Sequence, residues 1–247
     1  VAKKSGLGAN FYVDGYDLSG DINSLTTLET MLTTLDSTGI DKFAHERIPG
    51  LMDGSIEFTA YFNPASNRAH PVLKTMPTTD RIASYYDSTT LGGETANMVA
   101  KQVSYAPTRG ADASFLFKTK TTANAYGLGW ATALTAGKRT DTTATTGTAV
   151  NFSAATSFGF QAYLHVFAFT GTDVTIKLQD SADNVTFADI TSGAFTQTTT
   201  APGAQRIAVG GTATVRQYVR ATTVTTGGFT SVTFAVGITK NNVSVAF

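Results

Sequence analysis

Residues 35–76 constrain the fold of this chain more than any other stretch. Within them Ile56, Phe58, Ala60 and Phe62 alternate with Ser55, Glu57, Thr59 and Tyr61, the period of two that marks a strand with one dry face and one wet face. The four apolar residues need a dry sheet partner, so this is expected to be a core strand. Pro49-Gly50 and Asp53-Gly54 carry turn chemistry in front of it, because proline presets φ and glycine accepts positive φ, so the strand should start after them. Asn63-Pro64 stops it. From Arg68 to Met76, residues Ala69, Val72, Leu73 and Met76 fall at helical spacing, and Pro77 closes one or two turns of helix.

The remaining sequence favours strands. Only 15% of residues are charged, and the 247 residues include 23 glycines and a great many threonines, a composition suited to sheets and turns rather than helices. Phe11 to Val13 reads as a short strand turning at Asp14-Gly15 into a second near Tyr16 to Leu18. Residues 1–10, with Lys3, Lys4, Gly6 and Gly8, have little to bury and read as a flexible arm. Ser24 to Ser37 is ambiguous: Leu25, Leu28, Leu32 and Leu35 fit a helical face, whereas five β-branched threonines oppose it. We read it as a loop followed by a strand. Arg81 to Tyr86, Ala96 to Tyr105 and Ala113 to Thr121 are further strands, separated by Gly92-Gly93 and by Pro107 to Gly110.

Residues 138–150 are a Thr-rich polar stretch with few large apolar anchors and read as a linker. Residues 151–247 then carry six short strands: Phe158–Phe169, Val174–Gln179, Thr186–Ile190, Arg206–Val209, Val215–Thr225 and Thr230–Thr239. Val174, Ile176 and Leu178 share one face, as do Val232, Phe234, Val236 and Ile238. The expected fold is therefore all-β with one short helix. A two-sheet domain occupies residues 1–137 and an outer β-sandwich, Ig-like or jelly-roll-like, residues 151–247.

Formal net charge is zero, so no general basic field draws the chain to nucleic acid or membrane. Cysteine is absent, which excludes disulfides, thiolate nucleophiles and cysteine-ligated zinc. No apolar run approaches the ~18 residues of a membrane span, and a soluble chain without a secretion signal is expected. His45, His70 and His165 lie in different elements without metal spacing, and no Gly-x-Ser-x-Gly elbow appears. No catalytic, cofactor or metal residues are assigned. Asp180, Asp183 and Asp189 lack the dense alternation of a calcium loop and read as a turn. Arg216, Tyr218 and Arg220 alternate onto one strand face, which suits arginine stems packed over a neighbouring strand better than a sugar or phosphate surface.

A family resemblance rests on Thr38-Gly39-Ile40, on Ala44-His45-Glu46-Arg47-Ile48-Pro49-Gly50-Leu51, on Asp53-Gly54-Ser55-Ile56, and on Phe62-Asn63-Pro64 leading to His70-Pro71-Val72-Leu73. It continues more loosely through Tyr126-Gly127-Leu128-Gly129-Trp130 and Leu134-Thr135-Ala136-Gly137. In their order and spacing these segments resemble the tail tube (major tail) proteins of long-tailed, non-contractile bacteriophages. The resemblance implies a structural virion protein, not an enzyme, that stacks as homohexameric rings around a channel for DNA passage during ejection. It implies assembly in the host cytoplasm and residence in the virion. The implied partners are the chain itself, tape-measure and tail terminator or distal tail proteins, and double-stranded DNA in transit without sequence reading; no membrane and no cofactor is implied. The segment near 24–37 would reach towards a neighbouring ring, and Ser55, Glu57, Thr59 and Tyr61 would line the channel. Lys101, Lys118 and Lys120, on candidate neighbouring strands, would partly offset Glu57. The alternatives are a carbohydrate-binding or adhesion β-sandwich and a capsid decoration protein.

Overall fold

A computed structural model describes residues 5–211 and 213–245; Lys3 and Lys4 of the expected arm lie outside the described residues. In chain order the first half holds β1 (Asn10–Val13), β2 (Tyr16–Asp17), β3 (Ile22–Asp36), β4 (Arg47–Tyr61), α1 (Ala69–Leu73), β5 (Arg81–Tyr86), β6 (Glu94–Arg109), β7 (Phe115–Ala123) and β8 (Gly129–Ala133). The second half holds β9 (Arg139–Asp141), β10 (Val150–Asn151), β11 (Phe160–Gly171), β12 (Thr175–Ser181), β13 (Ala188–Ala194), β14 (Gly203–Val209), β15 (Tyr218–Val224) and β16 (Phe229–Lys240). The all-β expectation with one short helix holds.

The alternation that defines β4 does what its period requires: Ile56, Phe58 and Ala60 are fully buried. They pack with Phe11, Leu73, Met98 and Phe117 in the core of the first half, and each large side chain so buried contributes roughly 1.5–3 kcal/mol. Asp21 closes the end of this layer. Its two carboxylate oxygens accept from Asn63 Nδ2 (2.8 Å) and from the Ala69 amide at the start of α1 (3.0 Å). In the second half Val174, Ile176, Leu178, Val232, Phe234, Val236 and Ile238 are all fully buried, as their alternation implied, and form one cluster.

Three local expectations are corrected. β3 is a strand along its whole length, with no preceding loop, because it pairs antiparallel with β4 from Ile22 to Asp36. Partnered backbone and threonines suited to a pleated surface outweigh the helical spacing of the leucines. Pro49-Gly50 and Asp53-Gly54 lie inside β4 instead of preceding it. Pro49 sits beside a bulge between Leu32 and Thr34, and a Cβ on Gly54 would come within 2.6 Å of the Leu128 Cβ. That glycine thus serves a close approach, not a turn. Pro107 lies inside β6, at a part of the strand that β5 no longer reaches, where a missing N–H leaves no ladder bond unmade.

The two halves share one sheet. Twelve strands run in the order β14-β11-β16-β8-β6-β5-β1-β2, with β3-β4-β7 branching from β6 and β9 on β16; β10-β15-β12-β13 form the facing layer of the second half. The join is the pairing of Gly237 with Ala133 and of Ile238 with Thr132. The 138–150 stretch is not a free tether. Residues 139–141 pair with β16, and Arg139 donates to Asp141 and to the carbonyls of Ala221 and Thr145.

A second join is polar and buried. His165, with no exposed surface, accepts the Gly15 N–H at Nδ1 (3.2 Å) and faces the Ser84 hydroxyl through Nε2 (2.8 Å). Gly15, at φ +80°, is obligatory here, because a Cβ would lie 2.4 Å from the Val166 carbonyl oxygen. Tyr12, Tyr86, Ala133 and Ala235 pack beside it. Ending the chain at residue 137 would strip β16, one of its two partners, from β8 and the cover from this cluster. Such a fragment should be less stable than the full chain by roughly 3 kcal/mol or more, read as a lower urea midpoint; an unchanged midpoint would mean that the first half folds alone.

Candidate assembly surface

Two exposed surfaces follow from how β4 is flanked. Residues Ser55–Tyr61 lie between β3 and β7, but further back the strand has only β3 beside it. Residues 31–52 therefore leave the sheet as a two-stranded ribbon. Its apolar side chains remain largely in solvent: Ile40 and Phe43 at the tip are fully exposed, Leu51 is 82% exposed, and Leu32, Leu35 and Met52 are more than half exposed. The base is anchored where the Thr30 hydroxyl donates to the Leu128 carbonyl (3.1 Å). The tip has its own order. Thr38 donates its hydroxyl and its amide to Asp36, His45 Nδ1 lies 3.1 Å from the other Asp36 oxygen, and the Glu46 amide donates to Thr38 Oγ1 (2.9 Å). The Thr38 hydrogen bonds hold the Asp36 carboxyl below its usual range.

The second surface is the face of β3-β4-β7-β6 turned away from the core. Directly opposed residues on antiparallel strands share a face, and the register aligns Thr27, Glu57, Lys120 and Ser104 in one row and Ser24, Thr59, Lys118 and Ala106 in the next. Of the four residues expected to line a channel, Glu57 and Thr59 are half-buried here and Tyr61 is 53% exposed. Tyr61 donates to Asn23 Oδ1 (3.3 Å). Ser55 is instead buried, at 4% exposure, its hydroxyl directed to Glu29 on β3; strand β3, read from sequence as loop at this point, brings that side chain over it. Lys101 is held by Asp80 at 2.7 Å. The face thus mixes Glu29 and Glu57 with Lys118 and Lys120, and carries no uniform sign.

Other candidates are occupied elsewhere. His45 belongs to the ribbon tip, His70 contacts the Tyr105 hydroxyl, and His165 is buried at the joint. Among the described residues no group of three His, Cys, Asp or Glu side chains converges on one point. Asp183 accepts from Ser181, Val185 and Thr186 around its own turn, which draws its pKa down to about 2. Asp189 is engaged by Lys177 and Gln179. Arg220 stacks 3.7 Å over Phe187 and donates twice to Gln179 Oε1, the packed arrangement preferred from sequence. The ribbon's exposed apolar set was not assigned from sequence, although Leu32 and Leu35 on a threonine-rich strand were its trace.

No family model and no curated protein matches the chain. Its structural neighbours are phage tail and baseplate proteins. It is similar to a chain from "Virion of native gene transfer agent (GTA) particle", with 11% identity and a TM-score of 0.39 over 52% of this chain and 98% of that one. A chain from the tail of the empty GTA particle, solved with C6 symmetry, gives 13% identity and a TM-score of 0.39 over 52% and 98%. The SPP1 Dit protein of a hub adsorption apparatus gives 11% identity and a TM-score of 0.33 over 94% and 99%.

Proposed function

We propose that this chain is a structural virion protein, a tail tube subunit that stacks in homohexameric rings around a channel for DNA. The observation that carries the reading is the ribbon of residues 31–52, a long two-stranded extension whose large apolar side chains from Leu32 onward stay more than half exposed. An isolated ribbon of this kind is marginal in water, and an exposed apolar patch of this size marks a protein contact. The segments from Thr38 to Leu51 that resemble tail tube proteins are the ones that build it. In this reading the first half supplies β3-β4-β7-β6 to a closed barrel, which removes exposed edges, and the second half stands outside it. Tape-measure and terminator proteins meet the ends of the tube, and DNA passes without being read.

Sedimentation velocity and negative-stain images of the purified protein over a concentration series test this. Rings or tubes are expected; dispersed monomers that bind glycans would replace it with the carbohydrate-binding alternative.

The proposed lumen has a charge consequence. Glu57 lies opposite Lys120, so Glu57→Lys would leave three lysines on this face of each copy with only Glu29 to offset them. Tubes should still form, since like charges directly opposed on the outer face of a sheet cost only about 1 kcal/mol or less. DNA passage should slow, with the delay relieved as salt rises. Equal ejection rates at all salt concentrations would place Glu57 away from the channel.

A further inference from the structure

Away from the ribbon, the described residues expose a further large apolar side chain, Trp130. Beside the join of the two halves lies an open groove of about 410 Å³ in which Trp130, the single tryptophan of the chain, is 49% exposed. Phe152, Thr132 and Glu94 line it with Trp130, as does Lys240, whose ammonium donates to the carbonyls of Ala154 and Arg216. We infer that this groove receives the ribbon tip, Ile40 to Phe43, of a second copy of the chain, an inference that rests on the tail tube reading and names the receiving surface within it.

Geometry excludes the chain's own tip. The groove sits at the ribbon's base: Leu128, two residues before Trp130, accepts the hydrogen bond of Thr30. From Glu29 at the base to Asp36 the strand advances roughly 23 Å at about 3.3 Å per residue, and Ile40 and Phe43 lie beyond that. The chemistry of the two surfaces is complementary. The tip offers an aliphatic and an aromatic side chain, both fully exposed, flanking Asp41 and Lys42; the groove offers the half-exposed indole, the Glu94 carboxylate and the Lys240 ammonium, which lies 5.2 Å over the Phe152 ring, so each charge of the tip has an opposite charge to meet. Lys42 is held at the tip only by a surface pair with Glu46 (3.5 Å), which is weak enough to exchange for a new partner. Each copy carries one tip and one groove, so the contact is head-to-tail, the kind that repeats into a closed ring or a filament.

The experiment uses the full chain. Trp130 is its sole indole, so assembly should shift the tryptophan emission to shorter wavelength, and Ile40→Ser with Phe43→Ser should abolish the shift and raise the concentration needed for assembly by roughly a hundredfold. Because the chain has no cysteine, Phe43→Cys and Thr132→Cys can be placed on separate copies. Mixing them under oxidising conditions should give a covalent dimer well above the level of either variant alone. Assembly without the emission shift and without the mixed crosslink would overturn the groove assignment and leave the tail reading standing. A chain that stays monomeric at every concentration would overturn both.

Discussion

Replacing residues 32–52 by an Asn-Gly hairpin between Met31 and Asp53 should abolish assembly and leave the folded monomer intact. The removed segment pairs only with itself, and its large side chains are exposed, so its loss should change monomer stability by no more than about 1 kcal/mol. Asn-Gly is the preferred two-residue connection for a hairpin, and Met31 and Asp53 already face each other in the register. The effect on association is all-or-none by comparison, because the ribbon is the proposed contact itself. Hydrogen exchange in the unaltered chain should agree: residues 31–52 exchange fast in the monomer, where the ribbon lacks tertiary cover, and slowly once assembled. Tubes formed by the shortened chain would show that another surface holds the copies together.

The second large effect is a loss of stability in acid through His165. The Gly15 N–H donates to Nδ1, so the imidazole proton resides on Nε2 and is donated to Ser84. Protonating Nδ1 would bring two donors face to face in a site closed to bulk solvent. Burial pushes the His165 pKa down to about 3, whereas an unfolded histidine titrates near 6.5. The joint is therefore fully stabilising above pH ~6.5. Below it the unfolded chain takes up a proton that the folded chain refuses, and stability falls until pH reaches about 3, a total on the order of 5 kcal/mol. Urea unfolding between pH 7 and 4.5 should show this slope in the unaltered chain and a much flatter one in His165→Gln, which keeps a polar side chain but no titrating ring. Parallel slopes would mean that the joint does not govern acid stability.

How much of this was legible in the sequence depends on range. Ile56, Phe58 and Ala60, like Val174, Ile176 and Leu178, report their burial through a period of two, because each strand's pattern is set by its own pleat. Gly54 was misread as turn residue because the reason for it is Leu128, more than seventy positions away. The helical spacing of Leu25, Leu28, Leu32 and Leu35 was rightly set aside, and only the opening loop was misread, because the strand's partner is β4, beyond the ribbon tip. Leu25 and Leu28 pack against the core of the first half, whereas Leu32 and Leu35 lie in the ribbon, where no core face imposes alternation. The joint was the least legible feature. Ala133 and Gly237 pair across a hundred positions, and Ala235 and Gly237, on the face opposite Phe234 and Val236, meet Tyr86 and Asn97 of the first half. At the candidate lumen, sequence placed Glu57, Thr59 and Tyr61 together on the polar side of β4, but not the Glu29 that buries Ser55, because β3 was not recognised beside it.

The most direct test of the central claim is a cryo-electron microscopy reconstruction of protein assembled at high concentration. The proposal predicts hexameric rings with Glu57, Thr59, Lys118 and Lys120 on the inner wall and every 31–52 ribbon seated on a neighbouring copy. Rings whose inner wall is formed by other strands, or ribbons left free in solvent, would contradict it.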